Sequence, residues 1–554
     1  AQANAICHDI YSSCSHSSMR RLLVCCIAFL ALPGSSNSDA TRRKGEQGPR
    51  RLSVWSPLPR EGSQPLLIVL CEFKDESGKF TGTDWKDRFF GQGGFADFYS
   101  HDSYGKLNYH GAVVGLEGGS GAPVVDSDGV NYITLPEDLS FYAGTRHGFD
   151  VSVCQRTSHA GIAHDAILKL DDAGFDFGPY ANPTTKMVEN IIFIAASKSY
   201  HKVGDLSASF LSTAYELKWI FADSCDTGMK GRLSPEQYFV ASGGYMVNAY
   251  TFCTGRTGSD SELAVMGVCV HEHGHALGLQ DWYGVGQYSL MHAGTWGPDA
   301  TGDYPAHFSA WDRMMLGWLV PREVFRSVNE VEYLLEPINT NPDALKLTLE
   351  NSEEYYIVEN RQELAFGSPH SKGLAPNFCP GVLIWHIDGA IANPSTNYWT
   401  DNTVNAWSAH WEPPNPPAHN GVTVKEADKD GSLRPRQGAT DHECDDSHRL
   451  GTDTFEGKEA ELWDGQPSGV VIRVLSQPDN LGRVRVGVTC PKCPEAPTTT
   501  AQSPPPETDP PVSSAVRVST TFTVSMTFMG IKAEASGVLI CSLIAAMFAT
   551  SDAL

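Results

Sequence analysis

Positive charge is scarce in this sequence. Its 41 Lys and Arg stand against 65 Asp and Glu, a formal net charge of −24 over 554 residues, so a cationic surface for a nucleic-acid backbone is not expected. Long apolar runs are scarce as well. GVLICSLIAAMF, residues 537–548, falls short of the roughly 17–25 residues of a spanning helix. No second C-x-x-C accompanies Cys490 and Cys493, which argues against a four-cysteine zinc site and favours a disulfide closing the end of a domain. Apolar content is ordinary at 41%, which suits a folded chain of more than one domain and excludes general disorder.

Histidine, by contrast, is concentrated. From Val268 the chain reads VCVHEHGHALGLQDWYG. With 19 histidines and about half of the acids taken as Glu, random order gives roughly 0.04 copies of H-E-x-x-H in a chain this long. The flanking ELAVMGVCV and HALGL are helix-compatible, and on a helix His271 and His275, four residues apart, face the same way. Two imidazoles can then converge on one ion, with Glu272 directed to the position where a water would lie. Catalytic zinc typically takes three protein ligands; Gly278 can adopt φ > 0 and end the helix, so that Asp281 returns as the third. Ten residues later Met291 sits in YSLMHAGTWG, where a methionine turn would floor the histidines. Each assignment has a plainer alternative: packed helix histidines, a turn acid at Asp281, core filler at Met291. His273, on the opposite side of the helix, reads as structural, and His292 has no derivable role. Tyr288 and Tyr304 read as packing tyrosines ahead of transition-state donors.

These residues do not stand alone. LLIVLCEFKD from Leu66, FADFYSHDSYGKLNYHGAVVGL from Phe95, HFSAWDRMMLGWL from His307, EYYIVENRQ from Glu354, GVLIWHID from Gly381 and VKEADKDG from Val424 follow in order around the histidine motif. Together they resemble the immune inhibitor A group of secreted, metzincin-like metallopeptidases, from about residue 64 to about residue 488. The resemblance implies His271, His275 and Asp281 as ligands of one catalytic Zn2+, Glu272 as general base and Met291 as turn methionine. It also implies an endopeptidase, secreted or surface-anchored, acting on a protein or peptide substrate. Two other classes stay open: an inactive relative that binds cell-surface or matrix components, whose signature would be loss of Glu272, and a non-proteolytic zinc hydrolase. Calcium is a weak expectation. The stretch after Asp176, FGPYANPTTK, lacks the alternating acids of many relatives, and ADKDGS at residues 427–432 reads as a turn.

Patterning divides the chain. Residues 64–320 alternate strand-like and helix-like runs, an α+β, metzincin-like catalytic domain, and residues 321–490 carry short β-like runs, a β-rich, sandwich-like domain. Residues 19–40 read as a secretory signal after a doubtful extension at 1–18, residues 495–530 as a Pro/Thr/Ser stalk, and residues 531–554 as a hydrophobic tail. The tail is a candidate glycosylphosphatidylinositol signal and so a membrane tether. A secreted, extracellular monomer is expected. Trp385, Trp399, Trp407 and Trp411 fall in or near a Pro-rich insertion and are read as pinning a long loop ahead of forming a substrate surface. Nine cysteines run from Cys71 to Cys493, so at least one stays unpaired; Cys225 with Cys253 and Cys379 with Cys444 are guessed as pairs.

Overall fold

Strand β1 (Gly62–Glu72) carries the run LLIVLC, buried on both faces. Alternate residues leave opposite sides of a strand, so Leu66, Ile68 and Leu70 enter one core while Leu67, Val69 and Cys71 enter another. A strand of this kind requires cover on both sides. Helices α1 (Gly82–Phe90), α2 (Phe95–Asp102) and α4 (Met266–Ala276) contribute to the first core, and α3 (His159–Asp172) to the second. The computed structural model describes residues 58–144, 157–199, 209–210, 212–216, 239–256, 263–264, 266–297, 302–362, 381–393, 405, 419–427, 448, 454–497, 526–528 and 531–533.

The large sheet adds β2 (Leu107–Leu116), β3 (Pro123–Val125), β4 (Ile191–Ser199), β5 (Thr213–Glu216) and β6 (Ala249–Arg256), in the order β3-β2-β1-β4-β6-β5. Its four central strands are parallel and the two outer ones antiparallel to their neighbours. Two short strands, Ile133–Thr134 and Ser209–Phe210, pair with β1 and β4.

Beyond residue 320 strands dominate. One sheet runs β7 (Arg322–Glu323), β9 (Leu345–Thr348), β10 (Glu354–Arg361), β11 (Gly381–Asp388) and β12 (Val422–Lys425), and a second runs β8 (Ser327–Leu335), β14 (Val484–Cys490) and β13 (Val471–Val474). Val382 and Ile384 of β11 share a core with Tyr356, Val484 and Val486 of both sheets. Leu383, Trp385 and Ile387, on the other face, join the core that holds Trp311 and α4, so that core continues across residue 320. Trp385 is therefore no loop tryptophan: it is fully buried, with its indole N–H donated to Glu359 at 3.0 Å. Trp399, Trp407 and Trp411 lie outside the described residues. Mixed sheets and few helices match the α+β expectation; the parallel order of the central strands goes beyond it.

The disulfides correct one guess. Cys253 is bonded to Cys269, Cα to Cα 5.8 Å, and not to Cys225, because β6 lies directly under α4 and both sulfurs fall in the core between them. Cys490 and Cys493 are bonded to each other, Cys71 is free and buried, and Cys379 and Cys444 lie outside the described residues. Residues 497–554 form a separate unit, in which Met526–Phe528 pairs with Ile531–Ala533. Among the described residues no helix is long and apolar enough to cross a membrane. The expected signal at 19–40 and the apolar run at 537–548 are outside them.

Candidate metal centre

Helix α4 brings His271 and His275 side by side, ring centroids 4.8 Å apart. Gly278 takes φ 99°, a left-handed conformation that suits glycine, and Leu279 N–H bonds back to the Gly274 carbonyl at 3.1 Å. The chain thereby reverses toward the helix. Asp281 Oδ1 comes to 3.2 Å from His271 Nε2 and 3.5 Å from His275 Nε2. Two ligands each ~2.1 Å from a tetrahedral zinc stand about 3.4 Å apart, so both distances fit edges around one ion. The three ligand atoms lie within 4.8 Å of one another.

The remaining ring nitrogens are committed. His271 Nδ1 donates to the Leu290 carbonyl at 2.8 Å and His275 Nδ1 to the Leu279 carbonyl at 3.0 Å. A carbonyl can only accept, so each Nδ1 carries a proton and each Nε2 is the nitrogen turned toward Asp281. Without a cation, burial disfavours a charged His275, but Asp281 and Glu272 outweigh it and lift its pKa to about 9. Burial likewise raises Asp281, yet the two histidines hold it well below the usual carboxylate range. The cluster thus calls for positive charge at its centre, a demand that a divalent metal satisfies without protonating a ligand. Glu272, buried beside the first histidine, is near enough to act on both His275 and Tyr283.

Beneath the helix lies Met291, wholly buried. A Cβ at Gly274 would stand 2.7 Å from its Sδ, so the glycine of HEHGH is what lets the methionine sit against α4. The Trp282 N–H donates to the Met291 carbonyl at 2.9 Å, tying the ligand loop to the methionine segment. Asp312, in α5 (Ala310–Met315), gathers the same two segments: it accepts from Trp282 Nε1 at 2.5 Å and from Ser289 Oγ at 3.0 Å. Burial pushes its pKa up against several hydrogen bonds that lower it.

His273 faces the sheet. Its Nε2 meets the Tyr109 hydroxyl at 2.7 Å and its Nδ1 the Thr251 hydroxyl at 3.0 Å, and burial lowers its pKa to about 3. It pins α4 to β2 and β6, close to the Cys253–Cys269 bond. Tyr288 packs in the core, Tyr304 is half-buried, and His292 donates Nδ1 to the Gly286 carbonyl at 3.0 Å. Three residues went unnoticed in the sequence. Tyr283 donates its hydroxyl to Asp281 Oδ2 at 3.1 Å, and its carbonyl accepts from Asn405 Nδ2 at 2.9 Å and Asn420 Nδ2 at 3.2 Å. Only the D-x-Y spacing could have pointed to Tyr283; nothing local marks the two asparagines.

A second group, His101, Asp102 and His307, also has ligand-type atoms close together. Here Arg313 NH2 stands 3.2 Å from the same Asp102 oxygen that His307 Nδ1 approaches to 2.5 Å, and Phe308 N–H donates to the other at 2.8 Å. Burial raises the Asp102 pKa, but His307 and Arg313 overcome this and hold it well below the ordinary range. A fixed guanidinium already neutralises the carboxylate, so this is an ion-pair junction between α2 and residues 307–313.

Residues 220–319 match the family described as immune inhibitor A peptidase M6, catalytic domain. The segment around α4 is thus similar to that family's catalytic domain. The match contains all three converging side chains, Glu272 and Met291. Among individual relatives, the pre-pro-metalloprotease PrtV of Vibrio cholerae serotype O1, from two strains, is 32% identical over 127 residues, 19% of this chain and 14% of the relative. The chain thus matches only a small part of the length of that relative.

Proposed function

We propose that the protein is a zinc-dependent metalloendopeptidase whose centre is His271, His275 and Asp281, with Glu272 as general base. The observation that carries this is the convergence of two Nε2 atoms on one Asp281 oxygen at 3.2 and 3.5 Å, within a segment that matches a metallopeptidase family. Zinc bound there supplies a Lewis acid that lowers the pKa of a coordinated water and polarises the scissile carbonyl. The protein does the rest. Leu279 and Leu290 fix the two imidazoles in the ligating tautomer, and Met291 supports the helix from below. Glu272 accepts a proton on its carboxylate from the attacking water and delivers it to the leaving amine. Retention of Glu272 speaks against an inactive, purely binding relative.

In this reading the catalytic unit is metzincin-like and the β-rich unit sandwich-like. The substrate is a protein or peptide, nucleic acid is no partner, and the chain acts as a monomer outside the cell, with its tail as a tether. Elemental analysis tests the centre: one zinc per chain is expected, and its loss in His271→Ala and in Asp281→Ala. Zinc retained by both variants would refute the ligand set.

A further inference from the structure

Asp281 has two carboxylate oxygens with different tasks. Oδ1 faces both histidine Nε2 atoms, whereas Oδ2 accepts the Tyr283 hydroxyl at 3.1 Å. A carboxylate tied in this way is held from turning its second oxygen toward the histidines, so it presents a single ligand atom. The tyrosine is itself held. Its main-chain carbonyl accepts from Asn405 and from Asn420. Asn405 is anchored in turn on both main-chain groups of Val422, in β12, through its Nδ2 at 2.5 Å and its Oδ1 at 2.8 Å. Asn420 Nδ2 would also lie 2.7 Å from a Cβ at Gly284, so the loop passes tightly against it. Tyr283 lies 122 and 137 positions before these asparagines.

Resting on the proposed metal centre, we infer that Tyr283 is a positioning residue that fixes Asp281 as a one-oxygen ligand, and that Asn405 and Asn420 hold it there. The β-rich half thereby sets the metal affinity of the catalytic half. Hydrogen-bonding partners of metal ligands typically govern affinity by 10–100-fold, and a phenol aligned on the carboxylate, with its backbone clamped, has this role here. Tyr283→Phe keeps the ring and removes only the hydroxyl. Asn405→Ala leaves the hydroxyl and loosens the clamp.

The test uses the full chain, with Zn2+ affinity measured by chelator competition, the visible spectrum of the Co2+-substituted protein, and casein cleavage at saturating metal. Tyr283→Phe should bind Zn2+ 10–100-fold more weakly and change the Co2+ bands, while KM for casein stays unchanged and most of kcat returns at saturating metal. Asn405→Ala should weaken Zn2+ in the same direction and to a smaller extent. Unchanged affinity and spectrum with a collapsed kcat in Tyr283→Phe would overturn the inference and make the hydroxyl a group that acts on substrate. Normal metal binding by the parent without casein cleavage would sink the peptidase reading alone, because the affinity comparison still decides the tyrosine. A parent that binds neither metal would overturn both.

Discussion

The bond between Cys253 and Cys269 ties the central sheet to the metal helix two residues before His271, and removing it should cost a calculable amount. It closes a loop with a sequence separation of 16. The chain-entropy relation gives about 3 kcal/mol at 25 °C for a loop of that length. Both residues sit in the core with at most 6% exposure, so replacing them with alanine adds no buried polar group. For a cooperative unit of about 400 residues, unfolding entropy is about 0.8 kcal/mol per kelvin, and the loss corresponds to about 4 °C in Tm. Differential scanning calorimetry of the Cys253→Ala, Cys269→Ala double variant reads this directly. The same variant should also bind zinc more weakly, since α4 then loses its covalent tie to β6 and is held by noncovalent contacts. A Tm within 1 °C of the parent with unchanged zinc affinity would refute the reasoning.

Three further outcomes are expected. His159 and His273 have folded pKa values of about 3 against 6.5 unfolded, both lowered by burial. Unfolding below pH 6.5 therefore takes up protons, and stability present above that pH falls as pH drops toward 3, by up to about 1.4 kcal/mol per unit for each histidine. Thermal midpoints between pH 7 and pH 4 check this, and a flat profile would contradict neutral buried imidazoles. Gly274→Ala should push Met291 out of place; an overpacking cost of about 1–3 kcal/mol is at least as large as the roughly 1 kcal/mol gain in helix propensity, so a Tm above the parent's counts against the contact. Chelation should lower Tm, since zinc at about 1,000 times its Kd stabilises by about 4 kcal/mol, and readdition should restore it.

What the sequence disclosed and what it withheld divide along contact range. The convergence of His271 with His275 follows from helix periodicity, and the return of Asp281 from one glycine, so both could be read within a dozen residues. Strand β11 was legible as GVLIWHID because burial on both faces leaves an unbroken apolar run. The order of the large sheet was not, since strand pairing leaves no mark on either strand alone. The same holds for Cys253, whose partner is selected by how α4 lies on β6 and not by spacing. Tyr283 is two residues from Asp281, but the hydrogen bond between them became visible only with the direction of its hydroxyl. Asn405 and Asn420 act through a backbone carbonyl, for which no residue type is diagnostic.

The most direct measurement compares the parent chain with Glu272→Gln for zinc content and casein cleavage in parallel. The expected result is about one zinc per chain in both, as the ligand set predicts, with chelator-sensitive cleavage by the parent and at least a 100-fold loss in the variant, the scale expected of a positioned general base. Equal cleavage by the two proteins would contradict the assignment of Glu272, and absence of zinc from both would contradict the metal centre itself.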